Sequence, residues 1–321
     1  MLLSLLGSAN GAVLGDELAT TLKTRVEEIL AGKRPLSEVR LELVGGRPNR
    51  RSLVVYGSGV GVWNQEKQFD LAPAEHKELL RKTVTAGLFE MPERPRPETS
   101  VGPSPNAPVI LRAVAVRVGE LERIVSQNDR VRTLPALEAL VTELFRFCEK
   151  HASEGMGASS LTDGLRKIAQ KRLAPETLQL VLNIPPVAAG AEGGPANGIL
   201  VVLDGGVMTR TEQAAGSAGA TVAVPATGDR LRSLLTLLAD SGFESFPVNL
   251  YRARYVDLNV KVLGRGRSVQ ARKFAGLAPA KHPAQQEALE RLIGAILALG
   301  PEDAADPAES SKADTSAGAG R

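Results

Sequence analysis

The sequence predicts an α+β fold: an internal duplication of an α-β-β-α-β-β-α unit, each copy an antiparallel sheet with helices on one face. Three observations carry this. Short runs alternate apolar and polar residues, the period of a half-buried strand. Longer runs place apolar residues every three or four positions and stop at glycine, as amphipathic helices do. The chain also resembles itself. Leu79–Pro92 aligns without gaps on Leu234–Pro247, with Leu, Leu, Gly and Pro identical. Val54–Val60 aligns on Val201–Val207, Val114–Val118 on Leu258–Val262, and Ala136–Val141 on Ala288–Ile293, in the same order in both halves.

Taken in order, a helix opens each copy. Asp16 is placed to cap a run to Ala31 that stops at Gly32, and Thr162 or Asp163 caps a run to about Leu173. Val39, Leu41 and Leu43 then alternate with Arg40 and Glu42, as Leu178, Leu180 and Leu182 do in the second copy. A second strand, Ser52–Tyr56 or Ile199–Leu203, runs into glycine pairs suited to a tight hairpin. The helices Pro73–Ala86 and Gly228–Ser241 close at Gly87 and Gly242, each expected in the left-handed conformation. Two alternating strands follow, about 112–118 with 121–126 and 256–263 with 267–274. The helices Leu134–Lys150 and His282–Leu299 end the units.

These elements divide the chain into unit 1 over 16–150, a small polar linker over 151–160, unit 2 over 161–300 and a tail over 301–321. The tail has no large apolar side chain and holds five acids against two bases, so it is expected to be disordered. Residues 93–108 read as a proline-rich loop. Residues 1–15 are either a truncated signal segment, which favours a periplasmic or secreted bacterial protein, or the frayed start of a helix in a cytoplasmic one.

The chemistry is sparse. With 43% hydrophobic and 23% charged residues the chain is of ordinary globular composition, and its net charge of +3 is too mild for a dedicated nucleic-acid binder. No stretch reaches the length of a membrane span. The single cysteine, Cys148, lies in an apolar helical run and reads as a buried small hydrophobe. His76, His151 and His282 do not pair at ligand spacing, so no metal site is expected. Gly57-Ser58-Gly59-Val60-Gly61 fits neither a phosphate loop nor a nucleophile elbow and reads as a hairpin turn. No catalytic residue and no cofactor are nominated.

One cluster stands out. Between Tyr251 and Phe274 lie Arg252, Arg254, Lys261, Arg265, Arg267, Arg272 and Lys273 against one acid, Asp257. Alternation points Asn259 and Lys261 outward, so several cations are expected to share one hairpin face. Arg252, Arg254, Arg265 and Arg267 are the candidate docking patch for an acidic protein or anionic surface. The competing reading is a basic sheet edge that discourages aggregation.

The stretch Leu231–Leu299 carries L-L-x-L-L-x-x-x-G-F-x-x-x-P, a strand with Asp257 near its start, a basic return strand and an amphipathic helix. It resembles the small bacterial α+β modules that include emfourin-like inhibitors of thermolysin-type metalloproteases. The resemblance implies a non-catalytic binding module acting through surface loops, and it matches no residue here to an inhibitory position. Two classes of function follow: a non-catalytic binding protein, including the inhibitor-like form, or a hydrolase with an unsignalled site between the units.

Overall fold

A computed structural model describes residues 13–45, 51–92, 110–128, 134–186, 198–213, 221–225, 228–273, 277 and 281–299. The chain divides into two compact units, Met1–Gly157 and Ala158–Arg321. The expected N-terminal signal segment up to residue 12, the proline-rich loop and the acidic tail lie outside the described residues.

In the first unit the described elements are α1 (Val13–Leu30), β1 (Val39–Gly45), β2 (Arg51–Tyr56), β3 (Val60–Trp63), β4 (Lys67–Asp70), α2 (Pro73–Thr85), β5 (Ile110–Val118), β6 (Leu121–Asn128), α3 (Pro135–Ser153) and β7 (Met156–Gly157). The second contains α4 (Leu161–Ala169), β8 (Leu178–Ile184), β9 (Gly198–Asp204), β10 (Val207–Gln213), β11 (Thr221–Pro225), α5 (Gly228–Asp240), β12 (Asn249–Leu250), β13 (Val256–Val262), β14 (Arg265–Ala271) and α6 (Pro283–Ala298). The architecture is α+β, with one mainly antiparallel sheet per unit.

The strand orders correspond. The first sheet runs β6-β5-β1-β2-β3-β4, with β7 beyond β4; the second runs β14-β13-β8-β9-β10-β11, with β12 beyond β14. A short 3-10 turn, Leu36–Glu38 or Pro175–Thr177, precedes the first strand of each. Two strands per unit that the expected order omits, β3 with β4 and β10 with β11, stand between the second strand and the middle helix. Apart from the two-residue strands β7 and β12, each unit runs α-β-β-β-β-α-β-β-α. β3 and β4 escape a period-two reading because each has four residues, and they turn through Asn64 and Gln65, both at positive φ.

The helices cover the face that the alternation marks as apolar. Val39, Leu41 and Leu43 of β1, Leu53 and Val55 of β2, and Val114, Val116 and Val118 of β5 join Leu22, Val26 and Ile29 of α1, Leu79 and Leu80 of α2, and Leu137, Leu140, Leu144 and Phe145 of α3 in one core. The second unit repeats this with Leu178, Leu180, Leu182, Leu258, Val260 and Val262 buried, along with Leu165, Leu234, Leu235, Leu238, Leu289 and Leu292. Burying one such side chain stabilises by about 1.5–3 kcal/mol, so these faces hold the helices on the sheets.

Helix ends differ from expectation in three places. α1 begins at Val13, so Asp16 lies inside the helix and not at its cap. α4 is capped by Ser160, whose hydroxyl accepts from the Asp163 N–H, and not by Thr162 or Asp163. It ends at Ala169, well short of Leu173, because Lys171 adopts φ +58 with no glycine to announce the turn. Gly87 and Gly242 do both sit at φ +68 just after α2 and α5. The stretch 151–160, expected as a linker, carries the end of α3, β7 paired on β4, and the α4 cap. His151 is held there against Phe69, with ring centroids 6.0 Å apart.

Glu244 adds a second cap to α4 from the turn after α5. Its carboxylate accepts from the Leu161 N–H at 3.1 Å and the Thr162 N–H at 3.0 Å. Burial opposes the charge, yet the backbone donors of Thr162 and Leu161 prevail and lower its pKa. Glu244→Ala should cost about 1 kcal/mol, the usual worth of a helix cap. That stability is present above the ordinary carboxylate pKa and fades as pH falls below it. Denaturant titration at neutral and acid pH measures both; an unchanged midpoint at neutral pH would refute the capping role.

Candidate functional site

Arg265 and Arg267 of the expected patch do not lie on the outward face that Lys261 marks. The turn Leu263-Gly264 joins β13 to β14 so that Val262 faces Arg265, Lys261 faces Gly266 and Val260 faces Arg267. Directly paired residues point to the same side of a sheet, so Arg265 and Arg267 fall on the side of buried Val260 and Val262, while Lys261 projects from the other. Arg267 is half-buried and its Nη2 donates to the Phe246 carbonyl. Arg265 is exposed, and its Nε donates to the Ala158 carbonyl at 3.4 Å.

Arg267 has a counterpart. In the first unit Arg123 stands opposite Val116 as Arg267 stands opposite Val260, and its Nη2 donates to the Met91 carbonyl. Met91 and Phe246 are matched positions, each followed by proline. Both arginines therefore clamp the turn after the middle helix to the return strand. Arg267 is part of the scaffold.

Arg252 and Arg254 lie together, on the turn after β12. This turn is pinned from both sides: the Arg252 N–H donates to the Arg272 carbonyl at 3.3 Å, and the Arg272 N–H to the Leu250 carbonyl at 3.1 Å. With the start of α6 it forms an open groove of about 520 Å³, lined among others by Tyr251, Arg252, Arg254, Gln286, Glu287 and Glu290. Glu290 holds Arg252 by two bonds, Nε to Oε1 at 2.6 Å and Nη2 to Oε2 at 3.1 Å. The third guanidinium nitrogen, Nη1, is closed off from water and has no acceptor among the described residues; the same is true of Gln286 Nε2. Arg254 is half-buried and makes no ion pair among the described residues. Arg272 stacks on Tyr255, 5.9 Å from the ring centroid.

The sequence reading omitted Gln286 and Glu290. Glu290 carried a signal, because it aligns with Glu138, which holds Arg112 at 2.6 Å in the first unit. Gln286 carried none, since a glutamine in an amphipathic helix reads as a solvated residue.

The two titratable groups displaced furthest lie elsewhere, in the first unit. His76 on α2 is 1% exposed, and burial lowers its pKa to about 4. Cys148 on α3 is fully buried, and burial pushes its thiol up to about 12. The thiol should therefore stay inert to a disulfide reagent in neutral buffer and react fully once the protein is denatured. Rapid labelling of the native protein would contradict its burial. Among the described residues no three His, Cys, Asp or Glu side chains gather as a metal-binding group, and no helix is long and apolar enough to cross a membrane.

Comparison with family models and with curated proteins gives no match for this chain.

Proposed function

We propose that this is a non-catalytic binding protein, a duplicated module whose second unit docks an anionic partner. One observation carries the reading: Arg254 and Arg265 stand at the surface of that unit with no acid in ion-pair contact among the described residues, whereas Arg252 and Arg166 are each paired. Surface cations left uncompensated attract anionic partners over distance and accelerate encounter. The matching strand orders and the repeated arginine clamp support descent from one duplicated unit.

The test is association of the full chain with immobilised poly-L-glutamate. Binding should weaken as salt rises from about 50 to about 300 mM, because exposed charges are screened within about 8–10 Å. The double variant Arg254→Glu and Arg265→Glu should slow association more than it speeds dissociation. Binding indifferent to both salt and charge reversal would refute the reading.

The likeness of Leu231–Leu299 to emfourin-like modules favours a narrower form, an inhibitor of a thermolysin-type protease. The described residues of that stretch fold as helix, turn, strand pair and helix. Titrating thermolysin with the protein tests it: stoichiometric loss of activity supports inhibition, and full activity at excess protein rejects it.

A further inference from the structure

We propose that the groove between the Tyr251–Arg254 turn and α6 is a carboxylate-binding site for an acidic peptide segment of a partner protein. This rests on the anionic-docking reading above and names the residues and the ligand class.

Two fully buried donors without an acceptor are unusual in one small region, since nearly all buried polar groups are satisfied. Here both belong to side chains lining the same groove, Arg252 Nη1 and Gln286 Nε2. Both atoms are covered in this structure, so a ligand meets them only once a covering side chain turns aside. Glu290 fixes the Arg252 guanidinium through its other two nitrogens, and the Gln286 backbone is set in α6 by its N–H bond to the His282 carbonyl at 3.0 Å. A group with two acceptor oxygens can take one bond from each donor, and carboxylates do so well. Arg254 at the groove adds the positive charge that draws such a group in.

Charge selects among acceptors. Glu287 and Glu290 also line the groove, so a phosphate dianion meets more repulsion there than a single carboxylate does. Shape selects among carboxylates. The groove is open, whereas sites for free small molecules usually bury most of the ligand. An extended segment can lay its backbone along Tyr251 and Pro283 and insert one acidic side chain; a modest rotation of the half-exposed Gln286 side chain completes the contact.

The experiment uses the full chain, isotopically labelled, with the capped peptide acetyl-Ala-Asp-Ala-amide as the acidic probe and acetyl-Ala-Asn-Ala-amide as the neutral control. The acidic peptide should shift the Gln286 side-chain amide and the Arg252 and Arg254 side-chain signals saturably, and the control should not. Gln286→Leu should weaken the acidic peptide by about tenfold, the scale of a central contact. It should leave the melting temperature unchanged or raised, because it removes an unpaired buried donor. A purely structural Gln286 would give the opposite pair of results. Equal shifts with the neutral peptide, or undiminished binding by Gln286→Leu, overturn the site. Poly-L-glutamate binding that persists in that variant leaves the broader docking reading standing, and its absence in the unaltered protein removes both. Groove shifts that arise without peptide and vanish on truncation after Gly300 would make the chain's own acidic tail the occupant, which also overturns the partner claim.

Discussion

Replacing Arg123 by alanine should destabilise the first unit by about 2–4 kcal/mol, the cost of losing a charged donor and leaving a buried carbonyl unpaired. Arg123 is 4% exposed and its guanidinium bonds the Met91 carbonyl, in the turn that ends α2. The side chain crosses from β6 to that turn, so truncation also opens a cavity beneath it. Trp63 is the only tryptophan, and it packs edge-on to Phe145 with centroids 5.5 Å apart. Its fluorescence therefore follows the unfolding of this unit. Arg267→Ala should cost less, about 1–2 kcal/mol, because Arg267 is half-buried and water can partly replace it. A Trp63-monitored midpoint unmoved by Arg123→Ala would show that the clamp is incidental.

Acidification should weaken the same unit through His76. The imidazole is buried and its Nε2 has no partner among the described residues, so the folded state resists protonation down to a pKa of about 4. The unfolded chain takes up the proton near pH 6.5. Stability is thus intact above about pH 6.5 and declines as pH falls toward 4, by about 3 kcal/mol in all at 1.36 kcal/mol per unit. Carboxylates titrate over the lower part of this window, so the comparison is between the protein and His76→Leu. The variant should lose less stability between pH 7 and pH 4.5, measured by denaturant midpoints followed at Trp63. Parallel losses in the two proteins would place the acid sensitivity elsewhere.

Much of the fold was legible because burial and period agree along β1, β5, β8 and β13, where every second residue is both apolar and in the core. Gly87 and Gly242 marked helix ends because the left-handed conformation excludes most side chains. The strands β3, β4, β10 and β11 were missed because strands without a clear apolar alternation owe their place to pairing with a neighbour, not to their own pattern. The end of α4 was missed for a related reason, since Lys171 adopts φ +58 without the residue type that signals it.

The candidate site was half legible. Arg252 and Arg254 lie together at the groove, and their neighbourhood was visible as local charge. Arg265 and Arg267 were grouped with Lys261 by proximity in sequence, but a two-residue turn carries pairing parity across the hairpin and sends them to the helix-covered side. The match of Arg123 to Arg267 was open to inspection once the strands were aligned as a hairpin. The orphan donors of Arg252 and Gln286 were not, because they depend on how α6 meets a turn more than thirty residues earlier in the chain.

Backbone hydrogen exchange of the full chain, with and without poly-L-glutamate, tests the proposed docking surface most directly. Docking in the groove predicts slower exchange over the Tyr251–Arg254 turn and the first turns of α6. Protection confined to other segments, or none at a polymer concentration that saturates binding, would contradict it.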